Sequence, residues 1–126
     1  MPCSRLLAVL TVAVVLGCGA PALAAAAPDL SQAASLGDSY SSGEGSGPPF
    51  DPGTDVAGNR CHRTALAWPR LLGVPAARHL ACSGATIASL TAGQTSLPPD
   101  DRGQLARLAE LTPSTEVLVT LGGNDA

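Results

Sequence analysis

The stretch "EVLVTLGGND", Glu116 to Asp125, decides how the chain is read. A continuous apolar run, bounded by glycines and closed by Asn and Asp, is consistent with a strand buried on both faces. Such strands belong to parallel sheets, whose sites form just beyond the carboxyl ends of the strands. The Gly-Gly-Asn-Asp that follows this strand therefore marks a place to look for chemistry.

Working outward, two other short runs end in the same manner. Ala33 to Gly37 forms a small apolar run that leads into Asp38 and Ser39, and "AARHLAC" (Ala76 to Cys82) leads into Ser83 and Gly84. Both are read as strands. Between them, Gly43 to Asn59 is rich in Gly, Pro, Ser and Asp and reads as loop. "TALAWPRLLG" (Thr64 to Gly73) suggests a short helix, limited upstream by Pro69 and stopped by Gly73. Thr86 to Ala92 suggests a helical turn. "LPPDD" (Leu97 to Asp101) breaks the chain, after which Asp100 or Asp101 caps a helix with apolar positions Leu105, Leu108 and Leu111. Pro113 ends it. Strand, loop and helix, strand, helix, strand is the alternation of an α/β fold with a parallel sheet.

The first 24 residues stand apart. Arg5 precedes the apolar run "LLAVLTVAVVL" (Leu6 to Leu16), and "PALA" (Pro21 to Ala24) offers an Ala-x-Ala-like cleavage site. That is the layout of a secretory signal peptide, and the run is shorter than the ~20 apolar residues a spanning helix needs. The expected organisation is a signal peptide over 1–24, a linker over 25–32 and one domain over 33–126. No transmembrane segment is expected in the mature chain. "VLGC" (Val15 to Cys18) loosely resembles a bacterial lipobox, so anchoring through a lipidated Cys18 is the alternative to release.

Cys3 and Cys18 leave with the signal, and Cys61 and Cys82 remain in an oxidising setting that favours their pairing. No CxxC or Cys/His cluster of ligand spacing suggests a metal. The whole chain has seven basic and ten acidic residues, a net charge of −3, with a single Trp, Tyr and Phe. All the basic residues are arginines and they form no basic run, so nucleic acid is not expected as a partner. A stacking platform for sugars or bases is not expected either.

Together, "GDSYSSGEG" (Gly37 to Gly45) with "CHRT" (Cys61 to Thr64), then "ACSGA" (Ala81 to Ala85), then "VTLGGND" (Val119 to Asp125) resemble the first half of the SGNH (GDSL) hydrolase family. The likeness is to its secreted actinobacterial esterase and lipase branch. It implies a three-layer α/β sandwich with a parallel, flavodoxin-like sheet, incomplete in this chain. It also implies a secreted ester hydrolase acting on a small-molecule or lipid ester, with no cofactor. By resemblance Ser39 is the nucleophile. Gly84 supplies a backbone N–H and Asn124 a side-chain N–H to the oxyanion hole, which Ser39 also borders. Cys61 and Cys82 match a pair usually bridged in that branch.

The chemistry explains why such residues are needed. A serine hydroxyl needs a base to accept its proton. Attack on an ester creates an oxyanion, which fixed N–H donors stabilise. Asp38 is read as a residue that hydrogen-bonds its own loop, and Glu44 and Arg63 as surface or loop-bracing residues. The family carries its base in an Asp-x-x-His segment. Asn59 and Ala76 stand three residues before His62 and His79, so neither histidine fits, and both are read as structural or surface residues. The expectation is a chain truncated before its catalytic histidine and inactive alone. A polysaccharide deacetylase of the same family, or a non-catalytic secreted or lipid-anchored remnant, are the alternatives.

Overall fold

In the computed structural model, residues 26–94, 97, 102–111, 113–114 and 116–126 are described. The expected signal peptide and the capping residues Asp100 and Asp101 lie outside them. The elements are β1 (Ala34–Gly37), α1 (Ser39–Ser42), α2 (Trp68–Leu71), a 3-10 turn (Ala76–Arg78), α3 (Ser89–Ala92), α4 (Gly103–Glu110) and β2 (Val117–Thr120). This is a small mixed α/β arrangement. β1 and β2 pair in parallel with Ala34 opposite Val117 and Gly37 opposite Thr120.

β1 is fully buried although it is built from Ala, Ser, Leu and Gly. Small residues let the chain on either side come close. On the side away from β2, Leu80 N–H donates to Ser35 O (2.8 Å) and Cys82 N–H to Gly37 O (3.0 Å). The expected strand over Ala76 to Cys82 is thus corrected. Its first part is a 3-10 turn opened by Pro75, and the remainder touches β1 through an isolated parallel bridge, Ser35 to His79. The core around it is made of small and medium side chains: Ala33, Leu36, Cys61, Ala67, Val74, Leu80, Cys82 and Ala85.

Two further expectations change. β2 alternates between exposed and half-buried positions, with Val117 and Val119 44% and 49% exposed, so it is not buried on both faces. Its apolar run describes its composition, but among the described residues no element covers the outward face. α4 begins after Arg102, which makes no side-chain cap. It buries Gln104, while Leu105 is exposed and Leu108 is half-buried. The inward stripe therefore runs through 104, 108 and 111, in steps of four and three, so that Leu108 and Leu111 keep their expected places and Gln104 stands in for Leu105. α2 carries Pro69 in its first turn, where the missing N–H has no cost.

A Cys61–Cys82 disulfide closes the loop segment onto the chain beside β1. Arg63 reinforces the same junction, donating from Nε to Ala81 O (2.7 Å) and from Nη2 to Leu80 O (3.2 Å). Arg78, buried, ties Gln32 O (3.1 Å) to Ser114 Oγ (3.0 Å) and so fixes the entries to both strands. Among the described residues, no helix is long and apolar enough to cross a membrane.

Candidate active site

Gly37 ends β1 at φ 131°, and a Cβ there would fall 2.1 Å from Thr120 O. Only glycine lets the two strands finish side by side at this point. The chain then turns at once into α1. Asp38 is buried and caps it, with Oδ1 accepting Tyr40 N–H at 3.0 Å. The loop role expected of Asp38 is what the geometry shows. Its other oxygen, Oδ2, accepts Gly123 N–H at 3.4 Å, joining the end of β1 to the turn after β2.

Ser39 is the first residue of α1 and is half-buried. Its hydroxyl has no hydrogen-bond partner among the described residues. Ser41 and Ser42 are buried; Ser42 Oγ bonds Ser39 O (3.2 Å), while Ser41 Oγ, like that of Ser39, has no partner among the described residues.

The second motif is held with more bonds. Ser83 N–H donates to Cys61 O (3.1 Å), and Ser83 O accepts Gln94 Nε2–H (3.0 Å). A trans peptide points its carbonyl and its N–H in opposite directions. The Gln94 contact on the Ser83 carbonyl therefore turns the Gly84 N–H the other way, where it has no partner among the described residues. Gly84 itself is exposed at φ 78°, a left-handed conformation natural to glycine. Asn124, exposed after β2, donates from Nδ2 to Ala85 O at 3.0 Å and retains its second amide hydrogen.

The three motifs are thus knitted in pairs, Asp38 with Gly123 and Ala85 with Asn124. A groove of about 550 Å³ runs beside Gly84 and is lined also by Glu44, His62, Thr86, Ser89 and Gln94. Ser39 and Asn124 lie outside its lining, and no hydrogen bond joins either of them to Gly84.

Both histidines are committed elsewhere. His79 is buried, with Nδ1 2.6 Å from Ser35 Oγ and Nε2 3.4 Å from Ser42 O. A carbonyl only accepts, so Nε2 carries the proton and Nδ1 accepts from the Ser35 hydroxyl. Burial is the main cause that pushes the His79 pKa down to about 4. The nearby Arg63 and Arg70 charges act in the same direction, against the Ser42 hydrogen bond. His62 lies with Nδ1 2.5 Å from Glu44 Oε2 and Nε2 3.3 Å from Asp55 Oδ1, and its ring stacks on Phe50 at 4.8 Å. Among the described residues no group of three or more His, Cys, Asp or Glu side chains is placed to hold a metal ion.

Sequence reasoning missed two residues here. Gln104 reaches from α4 to the backbone of Gly37, next to the candidate nucleophile's turn. Glu44, read as a surface or loop-bracing residue, accepts both from His62 and from Ser83 Oγ. Glu44 had one available signal, a lone charge within the otherwise uncharged stretch from Ser39 to Phe50, and Gln104, set among Asp100, Asp101, Arg102 and Arg107, had none.

No protein-family model matches the chain, and no curated protein or solved structure is detectably similar to it.

Proposed function

We infer that the chain carries the nucleophile and oxyanion-hole motifs of an exported serine ester hydrolase of the SGNH type. Its parent fold is a three-layer α/β sandwich. Ser39 attacks the carbonyl of a small-molecule or lipid ester, the alcohol leaves as an acyl-enzyme forms, and water then releases the acid and restores the serine. Gly84 N–H and the remaining Asn124 amide hydrogen stabilise the oxyanion.

The observation that carries this reading is the pairing of the three motifs. Asp38 joins the turn after β2, and Asn124 joins the residue after Gly84. A turn serine, a turn glycine and a turn asparagine with unrelated roles need no such cross-links. The Gly84 N–H, without a partner among the described residues, is open to an oxyanion, and the Ser39 hydroxyl is open to the base it needs.

A base for Ser39 is not supplied by His62 or His79, since each is hydrogen-bonded to other groups. We therefore expect no turnover from residues 25–126 alone. The test is a chromogenic short-chain ester, assayed with this segment and with the product of the complete reading frame. Serine-dependent turnover only in the latter supports the reading. Turnover by the short segment, lost in Ser39→Ala, overturns the assignment of the base. In the active form, Asn124→Ala should lower kcat roughly 10²–10³-fold with a smaller effect on KM. Full kcat in that variant would remove Asn124 from the site.

A further inference from the structure

Ser83 makes three hydrogen bonds, and one of them leads to a histidine. Besides its backbone bonds to Cys61 and Gln94, its hydroxyl lies 3.2 Å from Ser42 Oγ and donates to Glu44 Oε2. The same Glu44 oxygen accepts from His62 Nδ1. His62 has a backbone φ of 49°, the one positive value at a non-glycine residue among those described. A left-handed conformation at such a residue costs about 1–2 kcal/mol and persists where its surroundings enforce it. Here the enforcement is visible: the Phe50 ring on one face, Glu44 on one nitrogen and Asp55 on the other.

We propose that His62 and Glu44 are positioning residues for the Gly84 N–H, acting through the Ser83 hydroxyl. When protonated, the imidazolium donates to Glu44 from Nδ1 and to Asp55 from Nε2, and the Glu44 carboxylate so fixed orients Ser83. The Ser83–Gly84 peptide is then gripped at the Ser83 side chain by Glu44 and at the carbonyl by Gln94. A neutral imidazole has one N–H and can serve only one of the two carboxylates. Loss of the proton frees Glu44 outright or, where Nδ1 keeps its hydrogen, leaves Glu44 with a neutral donor in place of a charged one; either way the hold on the chain that ends at Gly84 weakens.

The charged groups facing this pair are Asp55, which also accepts from Arg60 Nη1 at 2.7 Å, and Arg60 itself. Burial works to raise the Glu44 pKa, but the hydrogen bonds from Ser83 and His62 outweigh it and hold the carboxyl below its ordinary value. Glu44 is thus an anion throughout the range in which imidazoles exchange a proton. His79, with its pKa near 4, stays neutral there. The catalytic meaning of the device rests on Gly84 being an oxyanion donor. The coupling itself does not.

The experiment is a pH titration of the full chain, labelled with ¹⁵N and ¹³C and followed by NMR from pH 5 to pH 8. The His62 ring and the Gly84 amide are read in the same samples. The Gly84 amide shift should move with the midpoint of the His62 ring. In Glu44→Gln the ring should still titrate while the Gly84 response is lost. A Gly84 amide that stays fixed while His62 titrates overturns the proposal, as does an unchanged response in Glu44→Gln. The wild-type titration decides even if the variant does not fold. No substrate is involved, so this outcome is independent of the ester assay.

Discussion

Gln104 acts as a substitute strand for Gly37. Its Oε1 accepts Gly37 N–H at 2.8 Å and its Nε2 donates to Gly37 O at 2.9 Å, across 67 residues of sequence. The side-chain amide is the acceptor for Gly37 N–H and shares Gly37 O with Cys82 N–H, next to the turn that carries Ser39. Gln104 is itself buried, so water cannot take its place.

Gln104→Ala should therefore lower stability by about 2–3 kcal/mol, through two lost hydrogen bonds and a buried N–H left without an acceptor. Denaturant unfolding measures this. A change under about 0.5 kcal/mol, the range of an ordinary surface substitution, would show that the amide contacts are not what holds Gly37.

His79 makes stability fall with acid. Its folded pKa of about 4 lies below the ordinary 6.5, so the unfolded chain binds the proton more readily. The contribution is complete above pH 6.5 and is lost as pH falls from there towards 4. Between pH 7 and pH 5 the loss should be about 2 kcal/mol. His79→Gln should flatten this part of the profile. Equal slopes in the two proteins would mean that the imidazole is not buried in its neutral form.

The Cys61–Cys82 bridge spans 21 residues. On the chain-entropy model, closing such a loop contributes roughly 3 kcal/mol. Reduction should lower the unfolding free energy by that order, and non-reduced peptide mapping should recover the linked pair. Two free thiols in oxidised material would contradict the bridge.

Val117 and Val119 present an apolar stripe on β2. Replacing both with Thr should change the unfolding free energy by less than about 1 kcal/mol, since neither is buried, while reducing aggregation at high concentration. Light scattering and unfolding curves together test this. Strong destabilisation would show that the outer face of β2 is packed after all.

What the sequence by itself determined is local. Glycines, prolines and short apolar runs place β1 at Ala34–Gly37 and β2 at Val117–Thr120, and Asp38 caps the next turn through Tyr40, two residues away. Turn chemistry and caps act between near neighbours, so a single chain displays them. The pairing of Cys61 with Cys82 was expected for a similar reason: with Cys3 and Cys18 assigned to a signal peptide, there is only one way to join the other two. Tertiary structure decided the rest. Ser35 with His79, Gln104 with Gly37 and Asp38 with Gly123 are separated by 44, 67 and 85 residues. No periodicity relates such residues; each is selected because burial makes an unsatisfied polar group costly and its nearest partner in space comes from another element. For the same reason the exposure of β2 could not be read from its apolar run. Burial is a property of what packs against a strand, and "VLVT" names only the strand.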